Sequence, residues 1–444
     1  MIRRCILVFS ELVACNFTNE TNRESRHFIG NYDYTGYSVF EIYPKNSHHL
    51  KVIQDLRLVF GLDIWSMVNK IEAPTTVMVP PDRYINFVNL LEANTIPYRT
   101  IIQDVQKKID RERYVQLNNP NIVSVVSPTG VENSYALSFY KYHQTRTIEQ
   151  YLKYLQHKYP NRIQLINIGK SYEGRNLHVA KISFNKYRSG SEIVRKPAIL
   201  IDGGTHAREW ISVATVVYLI YALVENYREN IDLLKDIDWY LMPCLNPDGY
   251  EYSHTDRRLW RKTRSKTPKP YCRGIDLNRN YDFHWQEHDD WGTKNPCSVT
   301  YGGESSFSEP ESKAYSDFAR SIRKSLKLYI TFHSYGPFVL YPWGYTWDLP
   351  ENRDELHRLG VKFSQASDYF YEVGNSSRLL YPASGTSDDW FKGALGVKLS
   401  YTIELPGGGS EGFDLPQNEI HNVAEDVLNG MRVFAKYIRD KYVI

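Results

Sequence analysis

The chain has 444 residues, of which 42% are hydrophobic and 24% charged, with a net charge of +3. That length allows two or three domains and a large core, and the composition is that of a globular protein. The near balance of charge gives no reason to expect a nucleic-acid or strongly acidic partner, and no apolar run is long enough to span a membrane.

Residues 1–33 read as a leader. A basic start, Met1-Ile2-Arg3-Arg4, precedes Cys5-Ile6-Leu7-Val8-Phe9; Ser10-Glu11 then interrupts the run before Leu12-Val13-Ala14-Cys15. The pattern suits a signal peptide or a disordered leader. Asn16-Phe17-Thr18, Asn19-Glu20-Thr21 and Asn375-Ser376-Ser377 are glycosylation sequons, which matter only in a secreted chain.

Residues 34–105 have a pattern of their own. Strands are expected at 37–43, 62–68, 75–79 and 97–105. Helices are expected at 47–59, from Leu50, Ile53 and Leu56, and after Pro81-Asp82, from Tyr84, Phe87, Val88 and Leu91. The order βαββαβ predicts a small ferredoxin-like α+β domain. A connector, 106–137, opens with the charged helical cluster Lys107-Lys108-Ile109-Asp110-Arg111-Glu112-Arg113.

From residue 138 to 444, strand and helix patterns alternate. Thr147-Ile148-Glu149-Gln150 reads as a capping box, Glu173-Gly174-Arg175 as a turn between strands, and 420–442 as the last helix. The fold class expected is α/β, with a mixed eight-stranded central sheet flanked by helices.

The apolar run Ala198-Ile199-Leu200-Ile201 leads into Gly203-Gly204-Thr205-His206-Ala207-Arg208-Glu209-Trp210. His206 and Glu209 are three apart, so one helical turn or a tight loop brings them to one point. An imidazole and a carboxylate so placed suit a catalytic zinc, which takes three protein ligands and keeps one position open. A histidine ending a strand and a glutamate in the first turn of a helix give the same spacing without a metal. A third ligand is available in His333, after the apolar run 326–332, because sites in α/β sheets form where strands end. His-Glu-x-x-His, the zinc endopeptidase motif, is absent.

Seven stretches together resemble the zinc metallocarboxypeptidases of the pancreatic and insect digestive type, the carboxypeptidase A/B family. They are Thr205-His206-Ala207-Arg208-Glu209-Trp210, Asn246-Pro247-Asp248-Gly249-Tyr250, Leu259-Trp260-Arg261-Lys262-Thr263-Arg264, Asp276-Leu277-Asn278-Arg279-Asn280, His333-Ser334-Tyr335, Tyr381-Pro382-Ala383-Ser384-Gly385 and Tyr401-Thr402-Ile403-Glu404-Leu405. The resemblance implies one Zn2+ per chain held by His206, Glu209 and His333, with Asp276 orienting His206. It implies Glu404 as general base and Arg261 as donor to the oxyanion. Arg208, Asn278, Arg279, Ser334, Tyr335 and Tyr381 would bind the substrate's terminal carboxylate and backbone, and Tyr381 would lie on a closing loop.

Asp388 matches the floor of the family's side-chain pocket, where an acid goes with terminal Lys or Arg, as in the carboxypeptidase B branch; Leu340, Gly344 and Thr386 are further wall positions. Read without the resemblance, Asp276 is a turn residue, Arg261 part of a solvated basic run, Tyr381 a surface tyrosine, and Asp388 or Asp389 a cap for a helix near Trp390. Glu404, ending a buried strand, is then either solvated or catalytic.

The resemblance also implies a secreted proenzyme. The domain at 34–105 would cover the active site until a trypsin-like protease cuts near the basic cluster, and Cys272 and Cys297 would form a disulfide in an oxidising compartment. Cys244, in an apolar run, reads as an inert thiol. Peptide C-termini are the expected partners, with no nucleic acid and no membrane, and the expected state is a monomer. Two departures stand out: residues 114–140 hold no Lys or Arg, and Pro406-Gly407-Gly408-Gly409 stands where members of the family often carry Arg-Asp-Thr-Gly. The alternative function is a catalytically silent relative that binds peptide C-termini.

Overall fold

The computed structural model describes residues 32–59, 62–67, 69–118, 137–184, 196–287, 291–409 and 412–443. The leader with Cys5, Cys15 and the sequons at Asn16 and Asn19 lies outside the described residues, as does the connector from 119 to 136. Everything from Tyr34 to Ile444 belongs to one unit of the chain.

The N-terminal module runs β1 (Ser38–Ile42), α1 (Ser47–Val59), β2 (Asp63–Ser66), β3 (Thr75–Val79), α2 (Tyr84–Ala93) and β4 (Tyr98–Ile102). The expected βαββαβ order is present, and the antiparallel sheet has the order β2-β3-β1-β4. Ile53 and Leu56 of α1 and Phe87 and Leu91 of α2 share one face each, and they meet Phe40, Ile42, Val77 and Val79 of the sheet in a core of their own. Helix α3 (Val105–Asn118) then carries the basic cluster.

The second sheet has eight strands in the order β11-β10-β12-β9-β7-β8-β6-β5. These are β5 (Ile163–Lys170), β6 (Asn176–Ser183), β7 (Ala198–Asp202), β8 (Asp238–Met242), β9 (Leu326–Ser334), β10 (Phe338–Tyr341), β11 (Glu372–Asn375) and β12 (Leu399–Leu405). The four central strands β8, β7, β9 and β12 are parallel neighbours, and the edges are mixed. Strand β7 is buried at every position, as a strand covered on both faces must be. The covering helices include α4 (Thr145–Lys158), α5 (Trp210–Val224), α6 (Pro247–Thr255), α7 (Pro310–Ile322), α8 (Arg353–Ala366), α9 (Ser387–Gly393) and α10 (Ile420–Tyr442).

In α10 the buried residues Ile420, Val423, Ala424, Val427, Leu428, Met431, Phe434, Ala435 and Ile438 recur three or four apart, so one stripe faces the sheet. Helix α5 is apolar all round and almost wholly buried.

Two local expectations need correction. Thr147 does not cap α4, which begins at Thr145. Glu251 of α6 takes that role instead, accepting from the Thr145 backbone N–H at 3.2 Å and its hydroxyl at 2.6 Å. A tertiary carboxylate has replaced a local capping box. Asn375 is 3% exposed; its amide donates to the Trp343 carbonyl and its oxygen accepts from the Arg378 N–H, so the folded chain offers no glycan acceptor there.

The parallel pairing of β12 with β9 sets Glu404 opposite His333 and Leu405 opposite Ser334. The carboxyl ends of β7, β9 and β12 thus open at one edge. Strand β2 of the N-terminal module lies over that edge. Its Trp65 packs edge-on against Phe413 at 5.3 Å, and the Asn69 N–H donates to the Leu379 carbonyl at 2.9 Å. Gly412 has φ +65°, and a Cβ there would meet the Trp65 ring at 2.6 Å, so the contact needs glycine.

Candidate metal and substrate site

The turn after β7 folds back because Gly204 adopts φ +66°. It delivers His206 and Glu209 just before α5, and the end of β9 delivers His333. His206 Nδ1 lies 2.8 Å from Glu209 Oε1, while His333 Nδ1 lies 3.0 Å from both His206 Nδ1 and Glu209 Oε2. All three side chains are buried, and one ligand atom from each lies within 4.8 Å of the others.

His206 Nε2 is 3.0 Å from Asp276 Oδ1. A neutral ring that donates through Nε2 presents a bare lone pair at Nδ1. That lone pair faces a carboxylate oxygen and a second ring nitrogen, so three electron-rich atoms converge. A cation among them resolves the arrangement, and two imidazoles with one carboxylate suit zinc.

Asp276 also accepts from Arg261, at 3.2 Å from Nε and 3.0 Å from Nη2. Burial raises the Asp276 carboxyl, but Arg261 and His206 outweigh it and hold it well below the usual range. Asp276 therefore ties a metal-facing ring to a fixed guanidinium. Glu404 sits opposite His333; burial lifts its carboxyl to about 7, against the pull of His333 and with the repulsion of Glu209. A carboxyl so poised can take up and return a proton near neutral pH.

His206, Glu209, His333, Arg261, Asn278, Arg279, Ser334, Tyr335, Tyr381, Asp388 and Glu404 all line one cavity. Arg279 Nη2 reaches the Tyr381 hydroxyl at 3.4 Å, and the Asn278 side-chain oxygen accepts from the Ser387 N–H at 2.9 Å. Asp388 is 3% exposed, and the Ser376 hydroxyl lies 3.4 Å from its Oδ2. Burial raises the Asp388 carboxyl above its ordinary value. Asp388 and Asp389 lie in the first turn of α9, which Thr386 precedes, so neither is its cap. The neighbouring Asp389 accepts from the Gly344 N–H at 2.8 Å and the Tyr345 N–H at 2.9 Å, fixing the pocket wall. Leu340, Gly344 and Thr386 lie in that wall.

Arg208 and Asp276 stand outside the cavity lining. Arg208 turns instead to the N-terminal module, where Asp63 of β2 accepts from Nη1 at 2.5 Å and from Nη2 at 2.9 Å. Ile64, Trp65, Ser66 and Met67 close the cavity from the same side, and Tyr381 packs against the N-terminal core. The sequence carried no mark of Asp63, Ser376 or Phe413 as site residues, because each reaches the site only through tertiary contacts. Cys272 and Cys297 form the expected disulfide. Cys244 is a free thiol that burial pushes upward, away from reactivity.

The fold and the buried His-Glu-His centre define a metallopeptidase with its cleft covered by its own N-terminal module. Residues 148–430 match the family described as zinc carboxypeptidase, and residues 40–112 match carboxypeptidase activation peptide. The chain belongs to the zinc carboxypeptidase family: it is a metallocarboxypeptidase in proenzyme form. It is 38% identical over 423 residues to carboxypeptidase B of Helicoverpa zea, covering 92% of this chain and 95% of that one. It is 42% identical over 306 residues to carboxypeptidase B of Astacus astacus, covering 68% of this chain and 98% of the relative. The crystal structure of carboxypeptidase A from Helicoverpa armigera superposes with a TM-score of 0.83 at 30% identity, covering 93% of this chain and 100% of that chain. Among the described residues no helix is long and apolar enough to cross a membrane.

Proposed function

We propose that the chain is a secreted proenzyme which, once its activation segment is detached, removes C-terminal lysine and arginine from peptides. Asp388 carries the specificity: it is a nearly fully buried carboxylate in the cavity wall, and no cationic side chain pairs with it among the described residues. Burying a charge without a partner is costly, and a substrate guanidinium or ammonium would supply the partner. Two of the relatives carry the name carboxypeptidase B, which accords with this reading.

His206 Nδ1, Glu209 and His333 Nδ1 would hold the zinc, which when bound polarises the scissile carbonyl and acidifies water. Glu404 is the general base: it takes a proton from the attacking water and hands it to the departing amine. Its strand position opposite His333 supports the assignment. Arg261, fixed by Asp276, meets the negative charge that develops on the carbonyl oxygen. Arg279 and Asn278 take the terminal carboxylate, Arg279 by charge-assisted hydrogen bonds. Ser334 and Tyr335 flank the substrate backbone, Arg208 becomes available once Asp63 leaves, and Tyr381 closes over the bound residue.

The test is hydrolysis of matched peptides ending in Lys, Phe or Glu by the cleaved enzyme. Turnover of the lysine peptide far above the other two is expected; a preference for phenylalanine would overturn the specificity.

A further inference from the structure

Asp202 ends β7, and its side chain is wholly buried. In the parallel pairing of β7 with β9 it stands opposite Thr331. Residues two apart on a strand share a face, so Tyr329, Thr331 and His333 of β9 point the same way. The Asp202 carboxylate is bound to two of them. Oδ1 accepts from the Thr331 hydroxyl at 2.7 Å, and Oδ2 accepts from the Tyr329 hydroxyl at 2.8 Å. Oδ1 also stands 3.4 Å from the Thr205 hydroxyl, across the Gly203-Gly204 turn. Thr205 is joined directly to His206, and Thr331 comes two residues before His333. One carboxylate thus touches both limbs of the metal-facing set: the turn that carries His206 and Glu209, and the strand that carries His333.

The two imidazoles are held differently. Asp276 fixes His206 from behind, through Nε2. His333 Nε2 is buried and meets no hydrogen-bond partner among the described residues. The place of the His333 ring therefore follows from where β9 runs, and Asp202 ties that part of β9 to the turn. A carboxylate inside a sheet costs stability unless its oxygens are hydrogen-bonded, and here both are. Tyr329 is itself backed by the Phe391 ring of α9, stacked on it at 3.5 Å.

We propose that Asp202 is a positioning residue for the metal: its carboxylate braces the end of β7 against β9 and so sets the spacing of His206 from His333. The inference rests on the assignment of His206, Glu209 and His333 as zinc ligands. Such sites need their ligands held to within about 0.5 Å, and the groups that hold them are worth about 10–100-fold in metal affinity.

Two measurements on the intact chain test the brace: zinc affinity by competition with a chelator, and the Tm of the zinc-free form. Thr331→Val keeps the shape of the side chain and removes one donor; it should weaken zinc binding about tenfold. Asp202→Ala removes the whole brace and should weaken it by up to about a hundredfold. Asp202→Asn keeps an acceptor for Thr331 and can donate to the Tyr329 oxygen, so it should retain most of the affinity. Ser183→Ala is the control. Ser183 Oγ donates to Asp238 Oδ1 at 2.6 Å across β6 and β8, at the end of the sheet away from the site. Its loss should lower the Tm and leave zinc affinity unchanged, as loss of a purely structural contact does. Wild-type zinc affinity in Thr331→Val, with only the Tm lowered, overturns the brace. So does an Asp202→Asn chain as weak as Asp202→Ala, because the charge and not the brace would then matter. Should Asp202→Ala fail to fold, Thr331→Val decides. His333→Ala separates the brace from the ligand assignment. Affinity lost there but kept in Thr331→Val refutes the brace alone; affinity kept in His333→Ala refutes the assignment and the brace with it.

Discussion

Asp63→Ala should partly switch on the uncut chain. The Asp63–Arg208 pair joins the activation segment to the turn that carries Glu209, and Arg208 is only 1% exposed. Removing the carboxylate leaves a buried guanidinium whose remaining neighbours are the Leu259 carbonyl at 3.5 Å and the face of Phe413 at 4.3 Å. Breaking one side of a buried pair costs about 3 kcal/mol or more, because the surviving charge is stranded. In the open state water reaches Arg208, so the cost falls on the closed state alone. The closed-to-open ratio should drop by about a hundredfold. The assay is hydrolysis of a peptide ending in lysine by the uncut variant and uncut wild type, each divided by its own rate after complete cleavage. Cleavage removes residue 63, so the two mature enzymes are chemically identical and serve as the internal standard. Equal uncut activities would refute the claim that this pair holds the cleft shut; Trp65, Asn69 and the buried ion pair of Glu112 with Arg258 would then carry the closure.

Glu404→Gln should lower turnover by about 10²–10⁴-fold while metal analysis still finds one zinc per chain, since the residue is assigned to proton transfer and not to the metal. Loss of the zinc with the activity would instead make it a ligand. Asp388→Ile should erase at least about a hundredfold preference in kcat/KM for Arg and Lys over Phe and Leu; an unchanged order would place the pocket charge elsewhere. Glu311 is buried, and that burial, with Glu309 nearby, pushes it up to about 8 from an ordinary value of 4.5. From about pH 4.5 to pH 8 the unfolded chain ionises this group while the folded chain keeps it neutral, so the wild type loses stability as pH rises. Glu311→Gln should therefore match the wild type in Tm below pH 4.5 and exceed it increasingly up to pH 8; a constant difference would sink this reading.

Where a local pattern coincided with burial, the sequence was legible to the residue. The helices 47–59 and 420–442 and the strand 75–79 have the bounds expected from their apolar spacing. Legibility failed where the deciding partner was distant. Strand β9 runs on through Ser334 and β12 through Leu405 because each supplies the other's hydrogen bonds, which no window on one strand reveals. Thr147 looked like a cap because the motif is local, yet Glu251 arrives from another helix to do the work. In the site, the metal-facing set could be read as one resemblance spread over seven stretches. Arg208 could be named but not aimed: its partner Asp63 is 145 residues away, on a strand with no sequence mark of its destination.

The parallel pairing of β9 and β12 has a consequence for how this enzyme can vary. His333 and Glu404 are held abreast by the backbone ladder, and side chains alternate along a strand, so one residue inserted ahead of either turns that side chain away from the cleft. Length is frozen there. Leu405 opposite Ser334 is the last paired rung, and Pro406-Gly407-Gly408-Gly409 begins beyond it. The departure from Arg-Asp-Thr-Gly thus falls on the free side of a boundary, where chain can be lengthened without shifting the carboxylate upstream. An insertion scan along residues 399–409 should trace that boundary as a step, with activity lost throughout the strand and recovered beyond Leu405.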